Sequence, residues 1–137
     1  MRSILFHCKD VGTVITGLST RPNGIIHGDI LEKKQSAHDC IFVLLTVENG
    51  DTEEKAEALS KEIFKFIKDT GHRTVFLSPF AHLSNNLASS LEAHKILNKV
   101  AELIKGECQL IEGHFGSDKE LLIHLFGHPG NARYREF

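Results

Sequence analysis

Apolar residues along the chain fall into two patterns, short continuous runs and longer stretches in which they recur every three or four positions. Residues 39–47 form, after the initial Asp39, a continuous apolar run that is too short for a typical helix and is rich in β-branched and aromatic side chains. This composition predicts a strand that is buried on both faces. Residues 74–78 predict a second buried strand of the same kind, which ends at Pro79.

Two segments show the helical spacing instead. Apolar side chains at intervals of three and four predict one helix over about 52–70 and another over about 87–105. Asp51 or Thr52 is a candidate cap for the first helix, and Gly71 is placed to end it. Each helix is long enough to cover several strands of a sheet.

The remaining segments predict short strands joined by turns. These strands cover residues 3–8, 11–18, 25–31, 108–114 and 119–126, with turns at 21–24 and 127–131. The order is strands first and then β-α-β-α-β-β. We therefore predict an α/β (α+β) fold, in which a mixed β-sheet carries the two long helices on one face.

Length and charge restrict the possible classes of protein. A chain of 137 residues with 41% hydrophobic and 25% charged residues suits a single domain spanning 1–137. Its net charge of −2 indicates that it does not grip a nucleic-acid backbone by itself. Because no apolar run approaches the ~20 residues of a membrane helix, and none resembles a signal peptide, we expect no membrane association and a cytoplasmic location.

The metal-ligating residue types form no recognisable motif. The three cysteines are not arranged as CxxC, which argues against a disulfide framework and a zinc ribbon. Of the nine histidines, His124 and His128 are four apart, which on a strand is about 13 Å and too far for one ion. The phosphate-binding motifs GxxxxGK[ST] and GxGxxG are also absent. We expect no metal and no cofactor.

Candidate chemistry is concentrated at the ends of strands. Residues 79–84 follow a buried strand directly, and loops at the carboxyl ends of strands are where open sheets bind ligands. Lys119 begins a strand after a glycine-containing loop. Each feature also has an alternative structural explanation, because His82 could cap the following helix and Lys119 could be a solvated strand start.

Three short segments carry a resemblance to a known family. They are Phe-Ala-His-Leu-Ser at 80–84, Phe-Gly-Ser-Asp-Lys at 115–119 and Gly-His-Pro at 127–129. Together they resemble the editing domain at the N-terminus of archaeal threonyl-tRNA synthetases, which has the fold of the D-aminoacyl-tRNA deacylases. The resemblance is good over 74–129 and poor over 9–37.

The resemblance implies an editing activity. Threonyl-tRNA synthetase discriminates weakly against serine, which lacks one methyl group, because such a difference is worth only ~1–3 kcal/mol. A second site would correct the error by hydrolysing the ester of L-seryl-tRNA(Thr). The implied partner is the aminoacylated 3′ end of the tRNA, while other synthetase domains, or a synthetase in trans, hold the rest. A homodimer is also implied.

The resemblance further implies the site residues. His82 and Lys119 would be the catalytic side chains. The substrate-binding residues would be Val47, Glu48, Pro79, Phe80, Ala81, Phe115, Gly116 and Asp118, several of them through backbone groups. The 2′-hydroxyl of the terminal ribose would orient or activate the attacking water.

Two other functions remain open from the sequence. A D-aminoacyl-tRNA deacylase would use the same fold, and a non-catalytic module would bind aminoacyl-adenosine or a protein partner without hydrolysis. Asp118 stands where the family resemblance leads us to expect an aromatic residue. Because of this difference, the resemblance implies the fold more directly than it implies the substrate.

Overall fold

A mixed sheet of six strands forms the centre of the computed structural model, which describes residues 1–137. Along the chain the elements are β1 (Arg2–Leu18), β2 (Lys34–Thr46), α1 (Glu53–Thr70), β3 (Thr74–Pro79), α2 (Ser90–Ile104), β4 (Gln109–Glu112), β5 (Ser117–Leu125) and β6 (Ala132–Glu136). The predicted α+β class, with two long helices on a mixed sheet, is confirmed.

The long strand β1 joins the two halves of the sheet. The order across the sheet is β4-β3-β2-β1-β5, with β6 also paired to β1. Strands β2, β3 and β4 run parallel, and β1 runs antiparallel to β2, β5 and β6. On the side of β1 away from β2, Arg2–Phe6 pairs with β6 and Cys8–Leu18 pairs with β5. One strand therefore holds three others.

Both helices pack on the same face of the sheet. Their apolar stripes meet alternate residues of the central strands, including Ile41, Val43 and Leu45 of β2, in one buried cluster. The intervening residues of β2 point to the opposite face, where Phe42 meets Phe76 of β3 edge-on with ring centroids 5.3 Å apart. The apolar run in β2 is thus buried on both faces, as its composition predicts.

The helix ends follow local sequence signals with one exception. Gly71 ends α1 with a positive φ of 76°, and Ser89 begins α2 with a capping box completed by Glu92. Thr52 occupies the N-cap position of α1 but its side chain makes no capping hydrogen bond. Asp51 does not cap the helix either, because its carboxylate binds the amino group of Met1 at 2.8 Å. Neither helix is both long and apolar enough to cross a membrane.

Several strand predictions are wrong in extent. The segments 3–8 and 11–18 form one continuous strand, and β2 begins at Lys34, five residues before the apolar run. The segment 25–31 is not a strand, because amides within it bond to Ser90 Oγ and to the Phe115 carbonyl rather than to a neighbouring strand.

The strand β6 is missing from the sequence prediction. Its residues are mostly charged or polar, so it has no apolar run to reveal it. It forms because β1 offers an unpaired edge, and because Arg133 lies over the ring of Phe66 at 3.9 Å while also binding Asp69. Tertiary contacts rather than hydropathy define this strand.

Candidate active site

The candidate site lies where β2 and β3 end at the same edge of the sheet. Leu45 pairs with Pro79 at the carboxyl ends of these parallel strands, and the Phe80 amide donates to the Leu45 carbonyl at 2.9 Å. The buried Thr46 hydroxyl donates to the Phe80 carbonyl and accepts from the Leu83 amide at 3.4 Å. The loop after β3 is therefore fixed to the end of β2.

Two adjoining cavities open beside this loop. The first has a volume of about 480 Å³ and is lined by charged and polar side chains as well as by apolar ones. The second, of about 90 Å³, is mainly apolar and lies toward α2. The residues that line both are Pro22, Ile25, Phe80 and Ala81. The two cavities thus form one composite site with a polar end and an apolar end.

Lys119 brings an ammonium group to the polar cavity. It pairs with Ile15 of β1 near the start of β5, and its Nζ donates to the Ser117 carbonyl at 3.2 Å. The side chain is half-buried, and this burial lowers the pKa of Lys119, an effect that the neighbouring Asp118 carboxylate opposes. The positive charge is therefore held partly out of water, where it interacts more strongly with an anion than it would in solvent.

His82 lines the same cavity from the loop after β3. The residue is exposed, and its ring meets the Phe80 ring edge-on with centroids 5.0 Å apart. The helix α2 is capped by Ser89. The alternative in which His82 caps that helix is therefore wrong. Its ring nitrogens make no hydrogen bond within the protein and are available to a ligand in the cavity.

The segment 19–28 forms a wall of both cavities. The Ser19 amide donates to the Gly116 carbonyl at 2.9 Å, and the Gly28 amide donates to the Phe115 carbonyl at 3.0 Å. Gly116 has a φ of 82°, and a Cβ there would lie only 2.4 Å from the Ile26 carbonyl oxygen. Only glycine allows the two loops to approach this closely.

His114 also holds the segment 19–28 against the loop between β4 and β5. Its Nε2 donates to the Gly28 carbonyl at 2.6 Å, and its Nδ1 accepts from the Ser117 hydroxyl at 2.8 Å. Both ring nitrogens are therefore used in hydrogen bonds inside the protein. This buried histidine positions the wall of the site and is not itself a ligand-binding group.

Glu48 lies outside both cavities. Its carboxylate accepts from the Met1 ammonium at 2.7 Å, from Arg2 Nε at 2.9 Å and from Ser84 Oγ at 2.5 Å. These hydrogen bonds, the ammonium and then Ser84 foremost, lower the pKa of Glu48 to about 2. The group is thus a weak base, and its contact with Ser84 holds the far end of the loop after β3.

Most of the predicted site residues are brought together. Pro79, Phe80, Ala81, His82, Gly116, Asp118 and Lys119 line the polar cavity, and Val47, Phe80, Ala81 and Phe115 line the apolar one. Glu48 alone lines neither. The sequence reasoning missed Ser19, Arg21, Pro22, Ile25 and Ser78. The turn signal around Pro22 marks a bend but does not say which part of the fold the bend contacts.

The other histidines do not assemble a metal site. His128 Nε2 lies 2.7 Å from His7 Nδ1, whereas His124 Nδ1 lies 3.5 Å from the Asp10 carboxylate. No group of three or more His, Cys, Asp or Glu side chains is arranged to hold an ion, and all three cysteines are free thiols. Independence from metals and cofactors stays a prediction.

Comparisons with known proteins agree with this geometry. A family model described as the archaea-specific editing domain of threonyl-tRNA synthetase matches residues 1–137. A threonine–tRNA ligase of Nanoarchaeum equitans is 33% identical over 136 residues, covering 94% of this chain and 20% of the ligase. A threonine–tRNA ligase of Staphylothermus marinus is 33% identical over 101 residues, covering 72% of this chain and 16% of the ligase. The chain thus spans about a fifth or less of the length of these relatives.

One solved structure supports the fold. The c-Myc DNA unwinding element binding protein, which has a D-aminoacyl-tRNA deacylase-like fold, superposes with a TM-score of 0.75 over 100% of this chain and 99% of that protein. The two sequences are 12% identical, so this likeness concerns the fold alone.

The contacts of Glu48 predict a pH-dependent stability. An ordinary glutamate has a pKa of about 4.3, whereas Glu48 in the folded protein has a pKa of about 2. Its contribution is therefore complete above pH ~4.5 and is lost as the pH falls toward 2. We expect Glu48→Gln to be less stable than the wild type in urea denaturation at pH 7, with the difference shrinking between pH ~4.5 and ~2. The exposed Glu57→Gln is the control, and a difference that stays constant over this range would contradict the assignment.

Proposed function

Because the chain belongs to the archaea-specific family of threonyl-tRNA synthetase editing domains, we propose that it hydrolyses the ester of mischarged L-seryl-tRNA(Thr). The single observation that carries the proposal is the half-buried Lys119 ammonium in a cavity shared with His82. The chain would act as an aminoacyl-tRNA deacylase, either as a domain of a synthetase or as a freestanding relative.

The two cavities suit the two ends of an aminoacyl-adenosine. The adenine ring would occupy the apolar cavity, where Val47, Leu97 and Phe115 supply apolar surface. The seryl ester would lie in the polar cavity near Lys119. The ribose would bridge them beside Phe80 and Ala81, which line both cavities.

Lys119 would stabilise the transition state. Hydrolysis of an ester places negative charge on the carbonyl oxygen as the tetrahedral intermediate forms. An ammonium held partly out of water stabilises that charge without reorganising during the reaction. Protonated Lys119 has no lone pair and is not the general base. His82, whose ring is exposed and free, would bind the ribose or orient the ester.

In this proposal a group of the substrate, rather than a protein side chain, activates the attacking water. The Glu48 carboxylate is bound by two positive charges, and Asp118 Oδ1 accepts a hydrogen bond from Ser19 Oγ at 2.8 Å. Both carboxylates are therefore poor candidates for a base at the ester. The 2′-hydroxyl of the terminal ribose, adjacent to the ester, would position or activate the water instead.

The partners follow from the charge and the size of the chain. With a net charge of −2, the chain would read only the aminoacylated end of the tRNA, and other synthetase domains, or a synthetase in trans, would hold the remainder. Its place of action would be the cytoplasm, where aminoacyl-tRNA is used. No cofactor enters this scheme.

A homodimer is part of the proposal. Strand β5 is an edge strand whose Leu121, Leu122 and Ile123 are 40%, 63% and 36% exposed. An exposed apolar edge strand is a template for pairing with another chain. We therefore assign this strand to the contact between two copies.

The deacylation assay tests the activity. We expect the wild type to hydrolyse L-seryl-tRNA(Thr) and to spare L-threonyl-tRNA(Thr). Lys119→Met should lower the rate by ~100-fold or more, comparable to the loss of an oxyanion-hole donor. The exposed Lys65→Met should retain the rate. An unaltered rate for Lys119→Met would leave Lys119 as a solvated strand residue.

Hydrolysis of D-aminoacyl-tRNA alone would favour the alternative deacylase, and binding without hydrolysis would favour a non-catalytic module.

The role of the substrate hydroxyl has its own test. A seryl-tRNA that ends in 2′-deoxyadenosine and is charged on the 3′-hydroxyl should be hydrolysed very slowly, because the group that positions the water is missing. Its binding should change little. Cleavage at the normal rate would show that a protein side chain is the base, and His82 and Asp118 would then be replaced in turn.

The dimer is tested by light scattering. We expect twice the mass of the chain for the wild type and the mass of one chain for Leu122→Lys, because a charge on the apolar edge opposes its burial. Leu31→Lys, at a residue that is 91% exposed and outside β5, is the control and should leave the mass unchanged. A wild-type protein that is monomeric would remove the dimer from the proposal.

A further inference from the structure

Arg21 differs from every other arginine of the chain. Arg2 binds Glu48, Arg73 binds the Glu107 carbonyl, Arg133 binds Asp69 and Arg135 binds Glu62. Arg21 has no hydrogen bond and no ion pair in the structure, and it lines the polar cavity. A guanidinium has five donors in a fixed planar arrangement. Its donors here are available to a ligand.

The backbone that carries Arg21 is fixed although its side chain is free. Ser19, two residues before it, bonds to the Gly116 carbonyl through its amide and to Asp118 Oδ1 through its hydroxyl. Pro22, directly after it, accepts from the Ile25 amide at 3.0 Å and lines both cavities. Arg21 therefore stands at a defined place on the rim, beside the junction at which the ribose would lie.

One positively charged residue of the polar cavity has no role in the proposed hydrolysis. Its charged or titratable lining residues are Arg21, His82, Asp118 and Lys119. The Asp118 carboxylate is the one acid, and it is hydrogen-bonded to Ser19. The reaction uses Lys119 at the ester and His82 at the ribose or the ester. Arg21 thus adds a positive charge that hydrolysis of the ester does not require.

We propose that Arg21 binds the phosphodiester that links the terminal adenosine of the tRNA to the preceding nucleotide. This inference rests on the proposed function, since it takes the adenosine to lie across the two cavities. The phosphate is attached through the 5′ oxygen of the same ribose and would leave the site at the rim. Guanidinium pairs with phosphate through two parallel N–H···O bonds, which combine charge with direction. Arg21 would thus let an acidic domain distinguish a tRNA end from a free aminoacyl-nucleoside.

The experiment uses two non-hydrolysable ligands and calorimetry. Both are 3′-deoxy-3′-serylamino-adenosines, one with a free 5′-hydroxyl and the other with a 5′-methylphosphate diester. We expect the diester to bind the wild type about tenfold or more tightly than the free nucleoside, as for one charge-assisted hydrogen-bonded contact. Arg21→Gln should bind both ligands with the affinity that the wild type has for the free nucleoside.

Three controls make the result specific. Lys33→Gln removes the same charge from an exposed residue of the same connection and should keep the tenfold difference. Arg21→Lys keeps the charge but not the planar donors and should keep only part of it. Inorganic phosphate at the same concentration should not compete with the diester, because the site requires the attached adenosine. Thermal melting of each variant should match the wild type, since the Arg21 side chain makes no hydrogen bond or ion pair within the protein.

The unfavourable outcomes can be told apart. If the wild type binds both ligands equally, the phosphate contact is absent and this inference is wrong while the proposed function stands. If the diester binds more tightly to the wild type and to Arg21→Gln alike, another residue holds the phosphate and the assignment to Arg21 is wrong. If neither ligand binds, the proposed function and this inference both fail.

Discussion

The parallel pairing of β2 with β3 is the constraint on which the site depends. Buried apolar side chains on both faces of these strands fix their register, so their carboxyl ends stop together at Leu45 and Pro79. The Thr46 hydroxyl then holds the loop after β3 against β2. Without this register, Phe80 and Ala81 would not separate a polar cavity from an apolar one.

The other wall of the site is formed by a segment that belongs to no helix or strand. The segment 19–28 has no regular secondary structure except turns, yet bonds from Ser19, Gly28 and His114 hold it to the loop between β4 and β5. These bonds are polar and specific in direction, unlike the apolar packing beneath β2 and β3. The site thus joins a wall set by core packing to a wall set by hydrogen bonds.

This difference explains what the sequence could predict. The two helices are predictable because their apolar residues recur at helical spacing, and β2 and β3 because theirs form continuous runs. The segment around His82 is found because it follows β3, whereas Lys119 on β5 is singled out by the glycine-containing loop before it and by the family resemblance. The segment that carries Arg21 and Pro22 has no such period, and its position depends on Gly116 and His114, which lie about 90 residues away in the chain. The position of Glu48 outside the two cavities has a similar cause, because its partner is the amino group of Met1, which no local pattern connects to it.

The shared strand β1 has a consequence for the order in which the protein assembles. It precedes the other five strands in the chain, but its side away from β2 pairs only with β5 and β6, and Arg2 lies opposite Glu136. Contacts this distant in sequence form slowly, because the loop must close before any of them stabilises the chain. The polar cavity, with Lys119 on β5, is therefore completed only after the five elements that separate β1 from β5 have been synthesised. Until then β1 remains an exposed edge that can pair with other chains.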